Sequence, residues 1–504
     1  MTATPEASAE FNISENFEEM RPHHNCGVVA VSLDPESTAN SAFVSTALLT
    51  HLQHRGPDGA GVAAYDIKSG ESLGTSNVGK VANVLTRSNL MGINGEYSIG
   101  QVRYPTQGAS GKMSLDALQP IYYSRPNSKA NFWIGHNGQF DVGIEGFPSD
   151  TSKVGSMIFD KLEAGDTLEG AAVETLSELE NSAYSMVLMN KDGVLAVRDP
   201  VGFHPLFYGY SEHVKGYAVA SETPALGNVG VSEWQSVPPG HMLKLVSGEE
   251  PDLRPFVEKP SEPQLCALEA IYFARADGNL ESEDIYSMRR EMGRLLAEKD
   301  FGLQADVVMP VPDSARAAAQ GYAQFSGLNY EEGFIKTTSD RAFLQNNPEE
   351  RQSTADRKLQ IIRSQVEGRR IVLVEDSIVR GDTLKGLVFR MKKIFGAKEV
   401  HLRIASPPLM WECTYGIDIP TREELIAFKK GGNIEDVRKY LEADSLVYLD
   451  TQDLRKALGR QLGSRACVRC FTGQKPDTKF VYKNPFSEDA PVQDRVLAGA
   501  REIA

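Results

Sequence analysis

The chain has 504 residues, enough for two or three domains, with 41% hydrophobic residues and a formal net charge of −15. That acidity argues against a nucleic-acid partner, and no apolar run reaches membrane length. Five cysteines, an odd and sparse set, point to catalysis or metal rather than disulfides. The first 25 residues are polar and acidic, without the basic start and apolar core of a secretory signal, so a cytoplasmic enzyme is the expectation.

In chain order, Cys26 opens CGVVAVSL, an apolar run that reads as a buried strand, where a lone cysteine is most often a core residue. LLTHLQHRGPDGAG (Leu48 to Gly61) reads as a helix end followed by a tight glycine-rich turn. IGQVRYPTQG is a strand that delivers Arg103, and IGHNGQFD is a strand running into Asn137 and Gly138. FPSDTS puts Asp150 at the cap of a helix that starts near Ser152. RDPVGFHPLFYG (Arg198 to Gly209) and ASET (Ala220 to Thr223) read as a hairpin of the same sheet system. Each segment alone is weak, because Asn-Gly and Arg-Gly pairs are common turns.

Together and in this order they resemble the glutaminase domain of the class II amidotransferases, an N-terminal-nucleophile hydrolase with an αββα sandwich. The resemblance implies that the Cys26 thiolate attacks the glutamine amide. Asn137 and Gly138 would form the oxyanion hole, Arg103 would pair with the substrate carboxylate, and Asp150 with its amine. It also implies that Cys26 is the first residue of the mature chain, with its own α-amino group as base. Residues 1–25 would then be a propeptide, cut after Asn25. His24 and Asn25 stand where the family usually has acidic residues.

From about residue 265 the pattern alternates strand and helix, as in a parallel sheet. IYSMRREMGRLLAEK (Ile285 to Lys299) has helical spacing, and ADVVMPVPDSARAAAQGYAQFSG (Ala305 to Gly327) is a strand, a Pro-bounded turn and a helix. The centre of this half is IVLVEDSIVRGDTLKG (Ile371 to Gly386). An apolar strand ends in Glu375 and Asp376, and a polar turn leads to a helix beginning near Asp382 or Thr383. Paired carboxylates suit ribose hydroxyls or magnesium, and the amides of such a turn suit a phosphate. The residues alone also allow an ordinary βα turn of a doubly wound sheet.

The wording DSIVRG resembles the phosphoribosyl-pyrophosphate (PRPP) loop of glutamine PRPP amidotransferases, and implies a type I phosphoribosyltransferase domain after the glutaminase. The fold class is thus α/β and α+β. The expected boundaries are 1–25 propeptide, 26–260 glutaminase, 265–445 phosphoribosyltransferase and 446–504 a helical C-terminal segment. The resemblance implies PRPP binding by Ser314, Glu375, Asp376, Ser377, Arg380, Gly381, Asp382 and Thr383. Ser314, Glu375 and Asp376 would serve magnesium. Ammonia from glutamine would displace pyrophosphate from PRPP along a sequestered path, giving 5-phosphoribosylamine, the committed step of purine synthesis. Purine nucleotides as feedback inhibitors and a homotetramer are further family expectations.

This chain departs from the family pattern in three further places. Ala276 and Gly278 replace a Pro and a Ser in the entry segment CALEAIYFARADG. Asp382 stands where a threonine normally helps hold the 5-phosphate, and a carboxylate there repels a phosphate dianion unless it turns outward as a helix cap. The loop expected to close over PRPP, Lys336 to Lys358, keeps Arg341, Phe343, Arg351 and Arg357 but gains Glu349, Glu350 and Asp356. A diverged paralogue using another sugar phosphate, or a non-enzymatic regulator, are the alternatives these departures raise.

Cys413 lies in ECTYGIDIPTREELIA, and Cys467 and Cys470 form CVRCFTG. A single C-x-x-C could be a redox pair or half a zinc site. The segments resemble the branch of the family in which cysteines at the positions of Cys266, Cys413, Cys467 and Cys470 hold a [4Fe–4S] cluster. That cluster would staple the entry segment, the end of the sheet and a C-terminal helix over SLVYLDTQDLRKALGRQLG. Four thiolates suit iron–sulfur or zinc equally.

Overall fold

The computed structural model describes residues 26–104, 115–179, 181–300, 302–336, 359–417, 419, 421–475 and 479–483. The expected propeptide, and the loop residues Arg341, Phe343, Arg351, Arg357 and Lys358, lie outside these. Two compact units divide the chain: His23–Met288 with Glu412–Ile419 and Arg455–Ala504, and Arg289–Trp411 with Pro420–Leu454.

The first unit stacks two antiparallel sheets. Its strands are β1 (Gly27–Leu33), β2 (Gly59–Tyr65), β3 (Ser72–Val78), β4 (Tyr97–Arg103), β5 (Ile121–Ser124), β6 (Asn131–Gln139), β7 (Ala183–Asn190), β8 (Gly193–Arg198), β9 (Phe207–Ser211), β10 (Gly216–Ala220), β11 (Gln235–Ser236), β12 (His241–Leu245) and β13 (Asp252–Pro255). One sheet has the order β11-β9-β10-β1-β4-β2-β3 and the other β13-β12-β8-β7-β6-β5. The central strands are apolar on both faces because each sheet is covered twice. Val28, Ala30, Ile99, Val187 and Ala196 fill the space between the sheets. Val29, Val31 and Val102 meet Leu48 and Leu49 of α1 (Ser41–His51) on one outer face. Phe132, Ile134 and Met186 meet Ile158 and Leu176 of α2 (Asp150–Glu163) and α3 (Leu168–Ser177) on the other. This is the αββα sandwich expected of the sequence.

Two local readings are corrected here. α2 begins at Asp150, and its cap is Ser149, whose side chain accepts from the Ser152 N–H, so Asp150 occupies the first turn and its carboxylate is used elsewhere. The segment from Arg198 to Gly209 crosses between the two sheets: Arg198 ends β8, whereas β9 and β10 form the hairpin in the other sheet. The chain turns there because Asp199 accepts N–H bonds from Val201, Gly202 and Phe203.

After α4 (Ile285–Glu298), the second unit is built on a parallel sheet of β14 (Val307–Pro310), β15 (Asn329–Tyr330), β16 (Arg370–Glu375), β17 (Glu399–Ile404) and β18 (Ser445–Tyr448) in the order β15-β14-β16-β17-β18. The helices of this unit include α5 (Arg316–Ser326), α6 (Asp382–Phe389) and α7 (Ile434–Leu441), and α8 (Thr451–Ala457) begins at its last residues. SLVY, expected to be helical, is the edge strand: four residues extend beside β17 before α8 begins. The chain leaves β14 toward β15 on one side and continues at β16 on the other. That reversal of strand order opens a crevice at the carboxyl ends of β14 and β16.

Candidate functional site

In the first unit the register decides the geometry. Gly27 pairs with Val102 across β1 and β4, which sets Cys26 opposite Arg103. Gly56, in the turn after α1, lies against the Arg103 backbone; a Cβ there would be 2.4 Å from the Arg103 nitrogen. Burial pushes the Cys26 thiol up, the Arg103 charge pulls it down, and Asp150 acts weakly in the opposite sense to Arg103, so both side chains lie within electrostatic reach of the sulfur.

Asn137 and Gly138 lie at the end of β6, opposite Ser185 and Tyr184 of β7. Gly138 has φ +138°, and a Cβ would come 2.0 Å from the Ala183 carbonyl oxygen, so only glycine fits. Asn137 is fully buried, and neither its Oδ1 nor its Nδ2 has a hydrogen-bond partner among the described residues. The buried Arg103 Nε is in the same condition. Buried polar atoms without partners are costly, which favours a ligand as their partner. Asp150 Oδ2 accepts the Phe140 N–H at 2.9 Å and its Oδ1 the Thr151 N–H at 2.7 Å, which fixes the carboxylate beside the end of β6. Gln101 Nε2 donates to the His136 carbonyl, and Gln119 Oε1 accepts the His136 N–H at 2.7 Å, which clamps the residue before Asn137. Burial lowers the His136 imidazole to about 4, so it is neutral near pH 7.

Sequence reasoning passed over a buried ion cluster behind the nucleophile. The fully buried Arg55 guanidinium pairs with Glu222 and Glu269, each at 2.5 Å, and its Nε donates to the Cys26 carbonyl at 3.4 Å. Burial by itself would raise both carboxyls. The Arg55 charge overrides this at Glu269 and holds it at about 2, and at Glu222 the charges of His54 and then Arg55 hold the carboxyl well below its ordinary value. The Arg-Gly turn motif was the available signal, but nothing near it in sequence marks its partners.

The four remaining cysteines meet in this same unit. Cys266 and Cys467 face each other in a parallel bridge, closed by Ala267 N–H to Cys467 O at 3.1 Å and Cys467 N–H to Leu265 O at 2.9 Å. Burial raises all four thiols, Cys467 to about 12, and neighbouring cysteines raise Cys266, Cys467 and Cys470 further. The Tyr415 N–H donates to Cys413 Sγ at 3.3 Å. None of the four is in a disulfide. Among the described residues, no three or more His, Cys, Asp or Glu side chains converge on a point where a single metal ion would sit.

In the second unit Glu375 ends β16 and Asp376 follows it, both buried. The Ser314 hydroxyl, from the turn after β14, donates to Asp376 Oδ2, and Ser377 Oγ donates to Oδ1 at 2.7 Å. Gly381, at φ +86°, is the residue before α6, so the cap is glycine and Asp382 is the first helical residue rather than the cap. Asp382 Oδ1 accepts the hydroxyl of Tyr440 on α7. Arg380 points to Glu424 at 2.6 Å, and Thr383 follows in the first turn of α6. The structure thus joins Ser314 and Ser377 to Asp376, beside Glu375, and pairs Arg380 with Glu424 and Asp382 with Tyr440.

A two-sheet sandwich covered by helices on both outer faces, followed by a parallel sheet with an acidic strand end and a glycine turn, defines a class II glutaminase fold joined to a phosphoribosyltransferase fold. No protein-family model matches the chain. It is 35% identical over 487 residues to amidophosphoribosyltransferase 3, chloroplastic, of Arabidopsis thaliana, covering 94% of this chain and 88% of that protein. It is 37% identical over 468 residues to the amidophosphoribosyltransferase of Archaeoglobus fulgidus, covering 90% and 98%. The solved glutamine PRPP amidotransferase of B. subtilis, complexed with ADP and GMP, superposes with a TM-score of 0.79 at 32% identity, covering 91% of this chain and all of that one. The chain belongs to the amidophosphoribosyltransferase family. Among the described residues no helix is long and apolar enough to cross a membrane.

Proposed function

We propose that this chain is a glutamine-dependent amidophosphoribosyltransferase that takes ammonia from glutamine at Cys26 and places it on C1 of PRPP. The observation that carries the reading is a pair of buried donors without a partner among the described residues, Asn137 Nδ2 and Arg103 Nε, in the unit that buries Cys26 within reach of the Arg103 and Asp150 charges. The Cys26 sulfur attacks the side-chain amide carbon of glutamine. Asn137 Nδ2 and the Gly138 N–H hold the oxyanion that forms, in a site dry enough to make both strong. Arg103 takes the substrate carboxylate and Asp150 its ammonium group. Collapse of the adduct breaks the C–N bond; the amine takes its proton from the Cys26 α-ammonium group and leaves as ammonia. Water then cleaves the thioester to glutamate. The α-amino base requires that the chain be cut after Asn25.

At the second site ammonia attacks C1 of PRPP, the C1–O bond breaks and pyrophosphate leaves. Glu375 and Asp376 take the ribose hydroxyls, and the amides of Arg380 to Thr383 take the 5-phosphate. Magnesium, when bound, neutralises the pyrophosphate; Ser314, Glu375 and Asp376 would hold it. A buried carboxylate pair fits an ion that draws its other ligands from water and substrate oxygens. Four clustered cysteines, two of them buried, fit a group whose positive charge would favour their thiolate form, as a [4Fe–4S] cluster does with one thiolate per iron. Cys266, Cys413, Cys467 and Cys470 would hold it, in a structural role. Purine nucleotides as regulators draw support from the ADP and GMP of the B. subtilis complex. The test is Cys26→Ala: glutamine-dependent pyrophosphate release is lost while ammonia-dependent release persists. Loss of neither, or survival of glutaminase, overturns the assignment.

A further inference from the structure

An acidic first residue on a phosphate-binding helix is electrostatically the wrong choice. The N-terminus of a helix attracts anions through its free N–H groups, and a carboxylate placed there competes for them and repels a dianion. Asp382 occupies that position on the eight-residue α6. The structure shows how the conflict is removed. Tyr440, from α7, donates its hydroxyl to Asp382 Oδ1, and Asp382 is exposed. The Tyr440 ring is itself held. It packs against the core of the second unit, and the ammonium groups of Lys385 and Lys430 lie 4.7 and 5.3 Å from its centroid. Both cations also favour a negative charge held beside the ring, as the Asp382 carboxylate is.

We propose that Tyr440 and Asp382 form a latch that keeps the carboxylate off the N-terminus of α6, and that Tyr440 is thereby a positioning residue for the 5-phosphate of the phosphoribosyl substrate. The inference rests on the PRPP reading of this site. It explains why an aspartate is compatible here: its companion is 58 residues away in sequence but one hydrogen bond away in space.

The test is a double-mutant cycle of Tyr440→Phe and Asp382→Thr, read by the KM for PRPP and by calorimetric binding of ribose 5-phosphate. Phenylalanine keeps the ring and its cation contacts and removes the hydroxyl alone. Tyr440→Phe weakens both readouts by about five-fold, the scale of a hydrogen bond to a charged group at an exposed site. The penalty falls on KM rather than kcat, and disappears when Asp382→Thr has removed the charge. An equal penalty with and without Asp382→Thr, or no penalty in the native background, overturns the latch. A native protein that binds neither PRPP nor ribose 5-phosphate overturns the reading of the site, and the latch with it. Native binding with an unaffected Tyr440→Phe overturns the latch alone.

Discussion

Replacing Arg55 with methionine leaves the carboxylates of Glu222 and Glu269 buried without the guanidinium that both contact at 2.5 Å. Glu222 keeps His54 at 2.8 Å, whereas Glu269 keeps the more distant His204, with Nδ1 at 4.0 Å. Removing one member of a buried ion pair costs about 3–5 kcal/mol, because a charge stays in a dry site. For a unit of this size that is a fall in Tm on the order of 10 °C. The Arg55 contact to the Cys26 carbonyl is lost as well, so glutaminase activity falls alongside stability. The assay is calorimetry together with glutamate release. The triple variant Arg55→Met, Glu222→Gln, Glu269→Gln regains a large part of the lost stability, because no unpaired charge then remains. The pH dependence has a definite sign. Glu269 is held at about 2 when folded, below its ordinary value near 4.5, so its pair stabilises fully above about pH 4.5 and is lost as pH falls through 2. An Arg55→Met protein that melts within about 2 °C of the native one, or a triple variant no more stable than the single, would refute the argument.

Four further outcomes are expected. Asn137→Ala lowers glutamine-dependent kcat by about 10²–10³-fold, as loss of an oxyanion donor does; steady-state glutamate release measures it. Gly138→Ala does not give a native enzyme, because its Cβ meets the Ala183 carbonyl at 2.0 Å and φ is +138°; soluble yield and Tm check this. His136 is depressed from 6.5 to about 4 by burial, so the stability it contributes is present above pH 6.5 and is lost as pH falls from there through 4; chemical denaturation of native and His136→Gln proteins between pH 7 and pH 4 should show a shallower slope in the variant. Cys467→Ser removes one of four clustered thiols; iron content and visible absorbance of anaerobically purified protein fall together, and unchanged iron would contradict the cluster assignment.

Much of this was legible because it is local. Cys26 opens an apolar run and Arg103 ends a strand, and Glu375 and Asp376 follow the unbroken apolar stretch Ile371 to Val374. The resemblance ordered these pieces. What stayed hidden is long-range. Arg55 meets Glu269 across 214 residues, and no periodicity marks either partner. An outward-turned Asp382 reads in the sequence only as a helix cap, whereas the cap is Gly381 and the partner of Asp382 is Tyr440, 58 residues away. Short elements misled for a different reason: Ser445–Tyr448 is four residues, too few for a period of 2 or 3.6 to show. Ser149 and Asp150 are both good caps, and composition does not choose between neighbours.

The most direct test is stoichiometry. Anaerobically purified protein, with its N-terminus established by intact mass, is given glutamine, PRPP and magnesium, and glutamate and pyrophosphate are followed together. Equal release of both, dependent on each substrate, is the result expected of an amidophosphoribosyltransferase. Glutamate released without pyrophosphate would contradict it, and would mean that the acceptor at the Glu375–Asp376 site is a molecule other than PRPP.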